Sequence, residues 1–317
     1  MECRYCQSKE VVKSGFRKNK KGKVQLYKCN SCGKVFSENT TFAKMKHKGE
    51  IITIVLDLYF KNVSLRKIQE HLQDIHGVKV THVTIYNWIQ KYSVILKKYA
   101  DKVTEISGIN NSPQLHADEM MIKVGGQYVW EWNVMDFETK FLTRNIISEV
   151  RNLPDAVKVF RETRSKLNYA PKTVVTDVYG AYPRAIRKSF FRVPGVKHKR
   201  VVKLSEKVSN NPIERFNGSM REVTRTRRGF CSIESTRKIM NGFVAYYNFI
   251  RPHMSLGCTP AEASGINLNL DDNRWLGMID MAVNDIIPNS VPKRKKIKLK
   301  PKTYKWIVTV MMRTGKT

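Results

Sequence analysis

Apolar residues crowd the stretch from His47 to Lys61 (Ile51, Ile52, Ile54, Val55, Leu58, Tyr59), which predicts a mostly buried helix. Ser64 then offers an N-cap, and Leu65, Ile68, Leu72 and Ile75 follow at helical spacing until Gly77 interrupts them. Thr81 starts a further run, in which Ile85, Trp88, Ile89 and Tyr92 recur at i, i+3, i+4 and i+7. Two short helices joined by a glycine-containing turn predict a helix-turn-helix, with a plain helical hairpin as the alternative. From about residue 113 the period drops to two. Gln114 to Val124, Gln127 to Asp136 and Lys140 to Ser148 read as successive strands, and Gly125-Gly126 suits the first hairpin turn.

A helix follows at Asn152 to Leu167, then a short buried strand, Thr173 to Thr176, ending at Asp177. A helix at Gly180 to Phe190, a strand at Lys197 to Lys203 and a helix from Asn211 complete the pattern. Three strands, helix, strand, helix, strand, helix is the order of an α/β, RNase H-like mixed-sheet core, although several α/β folds share it. A last helical stretch covers Asn273 to Ile286.

Composition narrows the partners. The 317 residues carry a net charge of +31, yet 41% are hydrophobic, so this is a folded protein with a polyanion as its first partner. Nucleic acid fits best and an anionic membrane surface second. No apolar run is long enough to span a membrane, and the N-terminus lacks an apolar signal core; a cytoplasmic, nucleoid-associated protein is expected. Four of the six cysteines form two Cys-x-x-Cys pairs, Cys3/Cys6 and Cys29/Cys32, which is the spacing of a structural Zn²⁺ ribbon. Disulfides and redox thiols are the alternatives, disfavoured in a reducing compartment. With a ribbon beside it, the second helix of the helix-turn-helix is expected to read DNA through His82, Val83, Tyr86, Asn87, Gln90 and Lys91.

Three carboxylates carry the candidate chemistry. Asp118 lies mid-strand, where a lone charge is costly without a partner or a metal. Asp177 ends the buried strand, the place where α/β folds bind ligands; it could also cap the next helix. Glu214 follows after a gap of 36 residues, in Asn210-Asn211-Pro212-Ile213-Glu214. There a capping box with Asn211 as N-cap is a strong alternative. On the Glu214 helix, Ile213, Phe216, Met220 and Val223 form an apolar stripe. Beside it, Glu214, Asn217, Arg221, Arg225 and Arg228 form a polar one, either a phosphate track or, with Arg227, a solvated face. Three clustered carboxylates would repel, and Mg²⁺ or Mn²⁺, two ions about 4 Å apart, would resolve that and suit phosphoryl transfer. Asp136 is the nearest substitute; Glu119 is expected to point away from Asp118 by strand alternation. His116 is either a supporting group or a satisfied buried histidine, and Tyr179 and Tyr182 pack either near DNA or in the core.

The stretches HADEM, VVTDVYGAYPRAI and NNPIERFNGSMREVTRTRRGF, with YYNFIRPHMSLGCTPAEASG closing the segment, resemble DDE transposases of prokaryotic insertion sequences. The similarity is to the group with a retroviral-integrase-like core, of the IS-six type, and it covers roughly residues 62 to 265. The resemblance implies that Asp118, Asp177 and Glu214 are the metal-binding catalytic triad and that Arg221 contacts DNA at an element's end. It implies binding of terminal inverted repeats, metal-dependent strand cleavage and strand transfer into target DNA by two or more protomers. The expected organisation is a zinc ribbon at 1–42, a helix-turn-helix domain at 43–105, the DDE core at 106–265 and a basic extension at 266–317. In that extension seven of the ten residues 293–302 are basic, which suits a phosphate-binding arm or a solubilising tail. A DNA-binding regulator with an inert core, and a nonspecific nucleic-acid-coating protein, are the rival readings.

Overall fold

The computed structural model of the chain describes residues 3, 5–6, 8–19, 22–37, 42, 45, 47–191, 193, 195–201, 210–227 and 229–292. Arg228 and the basic segment 293–302 lie outside the described residues, as does the end of the strand expected at Lys197 to Lys203.

Near the N-terminus β1 (Val11–Asn19), β2 (Gly22–Cys29) and β3 (Val35–Ser37) form an antiparallel sheet in the order β1-β2-β3. Cys3, Cys29 and Phe36 are its only buried apolar cluster among the described residues, too little to hold a sheet by apolar burial. Three helices follow: α1 (Gly49–Phe60), α2 (Leu65–His76) and α3 (His82–Ser107). Ser64 caps α2 by accepting from the Lys67 N–H, Gly77 ends it at a left-handed φ of 62°, and Thr81 caps α3.

The helical module is not self-contained. α3 runs through residue 105, where a boundary is expected, and packs against α7 (Ile233–Ala245). The helices touch at Gly242, where a Cβ would meet Phe60 Cζ at 2.6 Å and Ser93. After the short helix α8 (Pro260–Ala263), the last described helix, α9 (Arg274–Asn284), docks on the same body. Phe60, Tyr246 and Trp275 stack in near-parallel planes, with centroids 5.7–5.9 Å apart, and bind α1, the end of α7 and α9 together.

The central sheet has the order β6-β5-β4-β7-β8, from β4 (Gln114–Val124), β5 (Gln127–Asp136), β6 (Leu142–Ser148), β7 (Thr173–Thr176) and β8 (Lys197–Arg200). β4, β5 and β6 are an antiparallel meander, and β7 and β8 add in parallel to β4. The parallel strands need crossovers, supplied by α4 (Leu153–Lys166) and α5 (Tyr182–Phe190). With α6 (Asn211–Thr226) this is the RNase H-like order. Consecutive residues on β5 point to opposite faces: Trp132 packs on Tyr182 of α5, whereas Asn133 bonds Asn217 of α6, so the two helices cover opposite faces.

Candidate active site

Asp118 and Asp177 meet through strand pairing. β4 and β7 run parallel with His116 beside Val175, and two residues further on along each strand stand the two aspartates. The Asp118, Glu119 and Asp177 carboxylates place oxygens within 4.8 Å of one another. Glu119 was expected to turn away. Its carboxylate does bond partners on the far face, the Tyr182 hydroxyl and the Arg151 guanidinium, but its length still brings it beside both aspartates. Arg151 stacks on Tyr179, with its guanidinium carbon 3.7 Å from the ring centroid, and one of its nitrogens stands 3.7 Å from Asp177 Oδ2. Tyr179 therefore packs on this cation, and Tyr182 holds the Glu119 carboxylate paired with it.

The electrostatics follow from burial. Burial, together with the Glu119 and Asp177 carboxylates, pushes Asp118 up from 3.8 to about 7. Burial likewise raises Glu119, against the pull of Tyr182 and Arg151. A hard oxygen cluster that resists full ionisation fits a divalent cation, which favours the charged forms.

Glu214 lies on the first turn of α6, exposed, and outside that 4.8 Å cluster. The helix begins at Asn211, one residue earlier than a capping box on Asn211 requires, and Asn210 at the cap position makes no side-chain cap bond. Asn210 Oδ1 is instead 2.8 Å from His116 Nδ1, so His116 is a satisfied buried histidine. The apolar stripe Ile213, Phe216, Met220 and Val223 is buried as expected. Asn217, assigned to the polar stripe, is buried too, and its Nδ2 donates to Asp118 Oδ2 at 2.8 Å. That bond docks the Glu214 helix on β4, because residues three apart share a helix face. Arg221 and Arg225 are exposed. Arg227, read as part of the solvated row, instead donates to the Tyr59 carbonyl at 2.9 Å and lies 4.0 Å over the Tyr59 ring, tying α6 to α1. Asp136 is no substitute ligand: it is buried and accepts from Ser112 and Thr139 at the β5–β6 turn.

On α3, Asn87 and Lys91 are exposed, whereas His82, Tyr86 and Gln90 are half-buried. These three border a groove of about 960 Å³ whose opposite wall is Arg227, Phe230 and Lys238 of the core. In the N-terminal sheet, Sγ of Cys3 stands 3.6 Å from that of Cys32, and Sγ of Cys6 stands 3.5 Å from that of Cys29, with all four within 4.8 Å. Four sulfurs about 2.3 Å from a tetrahedral ion stand about 3.8 Å apart, so this thiol set fits one. Gly33, at φ 69°, forms the tight turn after Cys32. Among the described residues no helix is long and apolar enough to cross a membrane.

The fold and the paired aspartates define the class, a DDE-type polynucleotidyl transferase core, and residues 112–253 match the DDE domain family DDE_Tnp_IS240. These residues therefore carry a DDE domain of the insertion-sequence transposase kind. It is 26% identical over 199 residues to the transposase for insertion sequence-like element IS431mec of Staphylococcus aureus, covering 62% of this chain and 83% of that one. An uncharacterised Methanocaldococcus jannaschii protein, MJ0017, is 28% identical over 48% of this chain and 65% of its own length. Among solved structures, the HTLV-2 integrase catalytic core domain in complex with magnesium aligns at 14% identity and a TM-score of 0.38, covering 49% of this chain and 97% of that chain.

Proposed function

We propose that this protein binds the terminal inverted repeats of its own element and catalyses metal-dependent strand cleavage and strand transfer. The observation that carries the reading is Asp118 on β4 standing beside Asp177 just past the end of β7, with Asn217 holding the Glu214 helix against Asp118. Asp118, Asp177 and Glu214 would hold two Mg²⁺ or Mn²⁺ ions, which would supply activation of an attacking oxygen and charge stabilisation of the leaving one. Water is the first nucleophile, and the freed 3′-hydroxyl attacks target DNA.

The chain's other parts orient the substrate. Cys3, Cys6, Cys29 and Cys32 hold a structural Zn²⁺ that replaces the missing apolar core of the N-terminal sheet. His82, Tyr86, Asn87, Gln90 and Lys91 of α3 contact the repeat, and Arg221, Arg225 and Arg228 contact phosphates. The segments 1–42, 43–105, 106–265 and 266–317 divide these tasks, in the cytoplasm and on the nucleoid. Two or more protomers hold the paired ends. The test is Mg²⁺- or Mn²⁺-dependent nicking of a duplex carrying the element's terminal repeat. Asp118→Ala, Asp177→Ala and Glu214→Ala should each abolish it while leaving DNA binding in place. Nicking that survives all three substitutions overturns the reading.

A further inference from the structure

A row of polar side chains crosses the sheet at the level of Asp118. On β5, Asn133 is the direct partner of Asp118, and on β6, Asn145 is the direct partner of Asn133. Glu131, two residues before Asn133 on the same face, is fully buried, and one of its oxygens, Oε2, has no hydrogen-bond partner. The bonds form a continuous chain. Asn145 Nδ2 donates to Glu131 Oε1 at 2.6 Å and to Asn133 Oδ1 at 2.7 Å. Asn133 Nδ2 donates to Asn217 Oδ1 at 2.9 Å, and Asn217 Nδ2 donates to Asp118 Oδ2 at 2.8 Å.

The direction of every amide follows from the two ends. With a metal bound the Asp118 carboxylate is ionised and only accepts, so it turns the Asn217 nitrogen towards itself. The Asn217 oxygen must then accept from Asn133, and the Asn133 oxygen from Asn145. Asn145 spends its second N–H on Glu131. A buried network of this kind is costly unless it specifies one arrangement. Here the far end of the chain is a carboxyl group that no reacting atom can touch.

We propose that Glu131, acting through Asn145, Asn133 and Asn217, is a positioning residue that fixes the Asp118 carboxylate and the docking of α6. The proposal rests on the metal-dependent reading above. It assigns to the outer strand β6 a part in aligning a ligand two strands away. The amide chain holds Asp118 in one rotamer and seats the first turn of α6, with Glu214, at a fixed height over β4.

The test uses the full-length, zinc-loaded chain and two readouts: the Mn²⁺ midpoint of thermal stabilisation, which needs no turnover, and the Mn²⁺ dependence of nicking. Asn133→Leu keeps the branched shape and deletes both central bonds; Asn145→Leu, at a half-buried edge position, deletes the bonds to Glu131 and Asn133 and stands in if Asn133→Leu does not fold. Each should raise the Mn²⁺ midpoint about 10- to 100-fold, the usual loss when a residue supporting a ligand is removed. The double variant should be no worse than either single one, because a chain once broken is not broken further. Glu131→Gln, which still offers an acceptor to Asn145, should keep the wild-type midpoint. DNA affinity should be unchanged throughout. A wild-type chain that nicks, alongside folded leucine variants with its Mn²⁺ midpoint, overturns the positioning chain alone. A wild-type chain that neither responds to Mn²⁺ nor nicks overturns the proposed function, and the positioning chain with it.

Discussion

Asp118→Asn tests the electrostatics of the site directly. In the native protein Asp118 keeps its proton up to about pH 7, whereas in the unfolded chain it loses it near 3.8. Between those values the native state binds more protons than the unfolded state, so stability falls as pH rises. The full gap is worth about 4 kcal/mol, at about 1.4 kcal/mol for each pH unit. Glu131, pushed by burial to about 7 from 4.5, adds a slope of the same sign that the variant retains. Asparagine removes the titration and still accepts from Asn217. Urea unfolding between pH 5 and 8, in buffer free of added Mg²⁺ and Mn²⁺ and with zinc retained, reads the effect. Wild type should lose stability more steeply than Asp118→Asn, by about 1.4 kcal/mol per pH unit below pH 6.5. Added Mn²⁺ should flatten the wild-type slope and leave the variant unmoved. Equal slopes for the two proteins without Mn²⁺ would refute the account of Asp118 as a carboxyl held protonated by burial and its acidic neighbours.

Three further outcomes are expected. Arg227→Gln removes the bond to the Tyr59 carbonyl and the ring contact, and should lower unfolding stability by about 1–3 kcal/mol in denaturant titration, with Arg227→Lys failing to restore it. Gly242→Ala drives a methyl group into Ser93 and Phe60 where α3 crosses α7 and should cost about 1–3 kcal/mol of stability, read as a lowered thermal midpoint; an unchanged midpoint would mean that the two helices are not packed this closely. Cys29→Ala should lower bound zinc, measured by metal analysis, by one ion per chain and open the N-terminal sheet to proteolysis while α1–α9 stay protected.

The order of elements was legible in the chain because it depends on neighbours in sequence. Ser64, Gly77 and Thr81 bound their helices through local caps, and the period-two runs became β4 and β5 with the Gly125-Gly126 turn between them. That two-residue turn already fixes Asp118 opposite Asn133, so the polar row across β4 and β5 could have been found from register alone. The cysteine spacing likewise identified four thiols that the fold gathers within 4.8 Å.

Other features depend on segments far apart in the chain. Strand alternation gave the direction of the Glu119 side chain correctly but not the place its carboxylate reaches, which Arg151 and Tyr182 decide. Periodicity put Asn217 and Arg227 on a solvated row, because a helix pattern shows which residues share a face and not what that face meets. Asn217 meets Asp118, 99 residues away, and Arg227 meets Tyr59, 168 residues away. The sequence by itself determined which residues could do the chemistry and on which elements they ride, since hydrophobic period, caps and ligand spacing are short-range. Only the tertiary structure decided which of the buried polar groups support one another, since parallel pairing of β4 with β7 and the docking of α6 bring together residues with no local reason to meet.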